Sequence, residues 1–370
     1  MTLAVVLASL VGAWEVAELK LLDMHFRLRG PVKHRGEVVV VGIAEDTFEE
    51  LGRTWPLPRA VIARAIENIQ AAKPKAVGLD VLFIEPSVFG PEDDAALAET
   101  LRKYDTVVLG ALYLREVAER VSEGSGARER RVYQVLRLPV QPLPHASIGF
   151  VNVLHDADGF VRRVPLYQDF RTVGRVESLA AQLFTMGTRG GVGARRSPRR
   201  EMLVNFRGAE GTFATVPFHR VVRGDVEHRH FAGKIVLIGA TSPALHDMFN
   251  TPFSPRSPMA GVEVQANAVD NLLRGDPLRP AGKTLPFLLA LLAAALGTSV
   301  GSRIAPPKSF LLVVGAGFGY AVGAHAALAW FQVWIEQVPV HLALFGAYFA
   351  MLVSGTPYRL VSTPPVTPLD

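Results

Sequence analysis

Apolar runs of two lengths follow one another along the chain, and their length separates segments that pack inside a domain from segments that face lipid. The short runs come first. Residues 38–43 (VVVVGI) and 76–84 (AVGLDVLFI) are unbroken and rich in β-branched side chains, which predicts strands buried on both faces. Between them Val61, Ile62, Ala65, Ile66 and Ile69 recur at the helical period, predicting a helix over 58–72 with Pro58 at its first position. A second helix is predicted over 93–102 and a third strand over 106–113. Further on, 202–206 and 234–238 (KIVLI) read as strands and 262–274 as a helix. Strand, helix, strand in this order predicts an α/β fold, a mainly parallel sheet covered by helices.

Residues 148–168 break the alternation. They lack a helical period, and two short apolar-rich runs flank Asp158-Gly159, a pair that signals a tight hairpin turn. An inserted β-hairpin region is expected, with Asp158 and Gly159 both at positive φ and Arg162 and Arg163 on opposite faces of the returning strand.

The long runs lie at the C-terminal end. Residues 284–302, 309–331 and 338–354 contain no Asp, Glu, Lys or Arg, and each approaches the ~17–25 residues a helix needs to cross a bilayer. Three transmembrane helices are predicted in preference to buried soluble ones. Residues 2–14 are also apolar but short, Glu15 and Glu18 interrupt the run, and no basic residue precedes it. They read as an uncleaved anchor, whole or truncated, rather than a signal peptide. Arg303 and Lys308 lie in the first C-terminal link and Arg359 beyond the last run, while the link near Glu336 has no basic residue. That asymmetry puts the 303–308 link and the C-terminus in the cytoplasm. The expected organisation is an anchor over 1–22, an extracytoplasmic domain over 23–282, three transmembrane helices over 283–355 and a cytoplasmic tail over 356–370, in a multi-pass protein of the cell (inner) membrane.

Composition agrees with a part in lipid: 49% of the 370 residues are hydrophobic, and the mean hydropathy is +0.24. The formal net charge of +5 does not point to nucleic acid. Its main clusters, ARERR (127–131) and RRSPRR (195–200), lie in Gly/Ser-rich stretches without interleaved aromatics and read as solvated loops on the outer side. There is no cysteine, so no disulfide staples the body. At about 260 residues it is large enough to bury its own core.

Motifs for nucleophilic hydrolysis, zinc peptidase chemistry and phosphate-loop binding are absent, and no cofactor, metal site or catalytic residue is predicted. A calcium loop starting at Asp156 fails on spacing, with glycine at the fourth position and Tyr167 at the twelfth. Acids at strand ends carry more interest. Glu45 and Asp46 follow the first strand, Asp80 lies in the second with Glu85 after it, and Asp247 follows LIGATS (237–242). Carboxyl ends of parallel strands gather on one edge of a sheet, where some of these acids can share a crevice; alternatively each caps a helix or pairs with Arg59, Arg162 or Arg163. The candidate ligand-binding set is Asp46, Arg59, Asp80, Glu85, Asp158, Arg162 and Asp247.

Six blocks in order carry a resemblance: LLDMHFRLRG (21–30), VGIAEDTFEELGRTWPLPR (41–59), KAVGLDVLFIEPS (75–87), GFVNVLHDADGFVRRVPL (149–166), FAGKIVLIGATSPALHDMFNTPF (231–253) and GVEVQANAVDNLLRG (261–275). Together they resemble the second class of CHASE domains, extracytoplasmic sensor modules of bacterial adenylate cyclases, histidine kinases and serine/threonine kinases. The resemblance implies a sensor for an unidentified small-molecule ligand, followed by membrane spans leading to a cytoplasmic output domain. The chain departs from that plan after Ser354, where sixteen residues remain, too few for a cyclase or kinase. Either the output lies in a separate cyclase or kinase protein or the gene is split or truncated, and no enzyme activity is expected of this chain. The alternative is a periplasmic or surface enzyme with a carboxylate site, metal-assisted through Asp46, Asp80 and Asp247. A transport role is disfavoured, because the three long runs hold no acid or base beyond His325 and His341. Gly315, Gly319 and Gly323, and likewise Gly297 and Gly301, recur every four residues, which suits close packing within one bundle or a homodimer.

Overall fold

A computed structural model of the chain describes residues 14–53, 55–121, 128–140, 143, 147–188, 199–254 and 257–354. The chain divides into two compact units, Gly30–Pro277 and a second formed by both ends, Met1–Arg29 with Leu278–Asp370.

The first unit is an α/β sandwich. Its sheet contains β1 (Val38–Ile43), β2 (Ala76–Leu82), β3 (Val107–Val121), β4 (Arg128–Arg137), β5 (Ser147–Phe150), β11 (Thr215–Pro217) and β12 (Ile235–Ala240) in the order β11-β1-β12-β2-β3-β4, with β5 also paired to β3. Every pairing is parallel except β3 with β4. β1 and β12 are central and buried along their whole length, as their β-branched runs require. One face carries α3 (Arg59–Ala71) and α4 (Pro91–Lys103), with Ile62, Ile66, Ile69, Leu97 and Leu101 packed on Val39, Val41, Val77 and Leu79. Each such buried aliphatic side chain contributes about 1.5–3 kcal/mol of transfer free energy. The other face takes α5 (Leu179–Gly187) and α7 (Gly261–Arg274) close against the strands. Small residues permit this: a methyl group on Gly78 would stand 2.6 Å from Leu183 of α5, and one on Gly239 would stand 2.7 Å from Val262 of α7.

The inserted region forms small antiparallel sheets. β6 (Leu154–His155) and β7 (Val161–Pro165) make the expected hairpin around Asp158-Gly159, and β10 (Glu201–Leu203) adds to β7. A second hairpin joins β8 (Tyr167–Phe170) to β9 (Gly174–Glu177).

Several expectations need correction. Pro58 is the N-cap of α3, and the helix begins at Arg59. The strand expected at 202–206 is shorter and leaves the main sheet for the hairpin region, because Met202 pairs with Val164. Of the hairpin turn only Gly159 has positive φ, at 79°. Arg128–Arg137 is a strand rather than a solvated loop; its sequence holds Val132, Tyr133, Val135 and Leu136, whose β preference outweighs the flanking charges. Residues 195–198 of the second basic cluster lie outside the described residues, as does the apolar run 2–13. The sequence pattern also missed three helices of the first unit, α5 and the still shorter α2 (Glu45–Leu51) and α6 (Phe218–Arg223), which have too few turns to show a clear period.

The second unit contains α1 (Glu15–Arg29), α8 (Thr284–Arg303), α9 (Lys308–Phe331) and α10 (Val338–Val353). Among the described residues two helices, α8 and α9, are long and apolar enough to cross a bilayer; α10, with 16 residues, is shorter than the third span expected. Leu288, Leu292, Leu311, Phe318 and Trp330 project outward from α8 and α9, the face a helix shows to hydrocarbon. Glu18, expected as an interruption, has a structural role here. Its buried carboxylate accepts hydrogen bonds from the N–H groups of Gln337, at 2.7 Å, and Val338, which caps the first turn of α10 from a different helix. His25 of α1 is also buried, with its Nδ1 3.1 Å from that of His325.

Candidate functional site

The carboxyl ends of β2 and β12 meet at Asp80, which lies opposite Gly239 in the ladder. β2 then leaves its pairing with β3: Leu79 pairs with Leu109 but Leu82 with Gly110, so Asp80 and Val81 bulge out of register. Such a bulge re-aims a side chain. The chain leaving β12 makes one 3-10 turn over Pro243–Leu245, and His246 then adopts φ 59°, a left-handed conformation that costs a bulky residue on the order of 1 kcal/mol. The reversal lays Asp247 against the start of α7, where its carbonyl accepts from Gly261 N–H at 2.9 Å and its carboxylate covers the Gly261 Cα. Any Cβ at position 261 would collide with that carboxylate.

Asp80 and Asp247 therefore converge. Both line a cavity of about 520 Å³ at the carboxyl edge of the sheet, the place where open α/β sheets hold ligands. Neither carboxylate has a hydrogen-bond or salt-bridge partner among the described residues. Burial, and secondarily the charge of Asp247, hold the Asp80 carboxyl well above the ordinary carboxylate range; burial raises Asp247 as well. Two acids so placed do not both ionise freely.

The walls are apolar. Leu57, Ile62 and Phe83 belong to the core, whereas Trp55, Leu82, Ile84, Val88 and Phe89 line the same cavity and remain more than a third exposed. A cluster of exposed large hydrophobic side chains around a concave site marks a binding surface. Arg59 also lines the cavity, but its guanidinium is committed. It pairs with Asp94, donates to the Glu85 carbonyl and lies 5.4 Å from the Phe83 ring centroid, while Asp93 accepts from the Arg59 and Ala60 N–H groups at 2.8 and 2.9 Å. Arg59 thus ties the N-termini of α3 and α4 to the cavity wall.

Of the seven candidate residues, Arg59, Asp80, Glu85 and Asp247 line this cavity. The other three lie elsewhere. Asp46 belongs to the first turn of α2, is half exposed and has His219 Nδ1 3.8 Å away, so the Asp46, Asp80 and Asp247 trio is not assembled. Among the described residues, no group of three His, Cys, Asp or Glu side chains is arranged to hold a metal ion. Asp158 and Arg162 form an internal ion pair of the hairpin, together with Asp156. Glu45, also at a strand end, accepts from Ser242 Oγ at 2.5 Å. Sequence reasoning missed the apolar rim: Ile84 falls within the strand expected over 76–84, whereas β2 ends at Leu82, and the signal lay in the large side chains Val88 and Phe89, which follow neither a strand nor a helix period.

The block that carries Asp80, the strand block that carries Asp247 and the helix block of α7 are segments that build this sheet edge and its support. A family model described as the CHASE2 domain matches residues 1–301. The chain belongs to the CHASE2 domain family. CHASE2 is a family of extracytoplasmic sensor domains, a sensory rather than a catalytic family, and the match extends through α1 and nearly all of α8. No curated protein and no solved structure matches the chain.

The CHASE2 blocks have physical explanations here. In the block opening at Gly261, the buried polar residues of α7 hold three surrounding segments. Glu263 accepts from the N–H groups of Gly211 and Thr212 at 2.9 Å, Gln265 donates to the Val151 carbonyl at 2.9 Å, and Asn271 accepts from Asn205 N–H at 2.7 Å. Asp270 takes the fully buried Arg207 guanidinium at 2.6 Å, and Asn267 accepts from the Arg207 N–H at 2.9 Å. The CHASE2 helix α7 is thus the internal frame on which the loops around the sheet are hung.

Proposed function

We propose that this chain is a membrane-anchored extracytoplasmic sensor in which a small ligand occupies the cavity over Asp80 and Asp247, and that binding is passed through the membrane helices to a separate cytoplasmic output protein of the cyclase or kinase kind. One observation carries the reading: in a sensor-family domain, two half-buried carboxylates without hydrogen-bond partners among the described residues lie in a concave, apolar-walled site. A ligand shifts a receptor only by binding one of its states more tightly. Here α7 supplies a direct covalent path, since its first residue lies under Asp247 and the chain enters the second unit at Leu278, four residues after the helix ends at Arg274. Pairing of two copies through the open α9 face of Gly315, Gly319 and Gly323 is the association we infer for the bilayer.

The test uses the full chain in lipid nanodiscs. It has no cysteine, so spin labels at Val88→Cys and Ser302→Cys attach only where placed. Small fragments of neutral, positive and negative charge are screened by thermal shift against wild type and against Leu82→Trp, which fills the cavity from an exposed wall position. Fragments that stabilise only the unfilled protein and change the distance between the labels support the reading. Stabilisation that survives Leu82→Trp, or binding without a change in label distance, counts against it.

A further inference from the structure

We infer that the ligand taken by this cavity is a small organic cation, an ammonium group on an apolar body. The inference rests on the cavity being the sensor's ligand site and adds the chemistry of what enters it. Three observations converge. Among the described residues, the lining side chains without a hydrogen-bond partner are the carboxylates of Asp80, Asp247 and Glu85 and the Trp55 indole N–H, so acceptors dominate once the acids ionise. The cation that lines it, Arg59, is neutralised by Asp94 and held by the Glu85 carbonyl, so it has little left to offer an anion. Aromatic rings of Trp55, Phe83 and Phe89 stand in the walls, and ring faces favour an ammonium group as well as a hydrocarbon body.

Charge decides among the ligand classes. An anion would enter beside carboxylates and find little besides the Trp55 indole N–H to donate to it. A neutral apolar molecule fits the walls but leaves the floor unpaired, which buried polar groups penalise. An ammonium group satisfies both, since its donors pair with the carboxylates and its charge favours their ionised forms. The titratable and charged groups lining the cavity are Asp80, Asp247, Glu85 and Arg59. Because the first two hold a proton more firmly than ordinary carboxyls, entry of a cation expels it, and affinity rises with pH.

The experiment is calorimetry on the full chain in detergent with matched probes: 2-phenylethylammonium, 2-phenylethanol and 3-phenylpropionate, and n-hexylammonium, 1-hexanol and hexanoate. The expected result is binding of the ammonium members at least about tenfold tighter than either match. That preference falls by about tenfold or more in Asp80→Asn and in Asp247→Asn. It grows with rising pH, with proton release. If the alcohols or carboxylates bind as tightly as the ammonium probes and Leu82→Trp abolishes that binding, the cation is overturned while the cavity stands as the ligand site. If no probe of any charge binds up to about 10 mM, both readings fall. The wild-type comparison of charge classes decides the matter even where an Asn variant fails to fold.

Discussion

Arg162 grips Asp158 with two parallel hydrogen bonds of 2.8 Å each, and a third bond of 2.9 Å from the same guanidinium reaches Asp156. The arginine is fully buried, so both carboxylates spend their charge inside the hairpin. Removing one partner of such a group strands the other's charge, at a cost of about 3–5 kcal/mol. Arg162→Ala is expected to lower the thermal melting point of the full chain accordingly. Arg162→Lys recovers only part of the loss, since an ammonium lacks the planar fork. A change below about 1 kcal/mol for Arg162→Ala would show that the pair does not hold the hairpin.

The Asp80 and Asp247 carboxyls predict a pH dependence of the opposite sign to an ordinary salt bridge. In the unfolded chain Asp80 titrates near 3.8, whereas in the folded protein it holds its proton to higher pH. Between those two values the folded chain binds more protons than the unfolded one, so stability falls as pH rises and stays lower above the folded value. Asp80→Asn, which cannot ionise, should flatten this trend and melt above wild type at about pH 8 while losing the advantage near pH 4. Melting curves across that range check it; an unchanged slope in the variant would assign the effect to other groups.

Within the second unit the two glycine series are not equivalent. A methyl group on Gly297 would run into the Leu344 carbonyl of α10, and one on Gly301 would stand 3.3 Å from Met351 and Tyr348. At Gly315, Gly319 and Gly323 nothing lies within 4 Å. Gly297→Leu is expected to separate α8 from α10 and destabilise the unit by about 1–3 kcal/mol or more, as overpacking does. Gly319→Leu should leave the melting of the single chain unchanged and weaken crosslinking between copies in a bilayer. Equal crosslinking in both proteins would exclude the α9 face as the contact.

Much of the fold was legible because it is written in local patterns. The runs at 38–43, 76–84 and 234–238, the periodic helix after Pro58 and the Asp-Gly turn each report a backbone preference that holds before any tertiary contact forms. Elements without such a pattern escaped: α2, α5 and α6 are short, and β4 hides its β-forming residues behind four charges. The acids at strand ends showed where a crevice forms in a parallel sheet but not which of them enter it. Asp46 and Glu45 start a helix at once, whereas Asp80 is turned by a bulge and Asp247 by the left-handed His246.

By itself, the sequence determined the parallel α/β sheet, the apolar C-terminal helices and the sensor family, since periodicity, length and ordered blocks are properties of the chain alone. Only the tertiary structure decided that Asp158 and Arg162 neutralise each other, that Glu18 caps α10, and that Asp80 and Asp247, far apart in sequence, share one cavity. The physical reason is that a carboxylate's role depends on which donors lie within hydrogen-bond reach and how much water remains, and both are set by packing between distant segments.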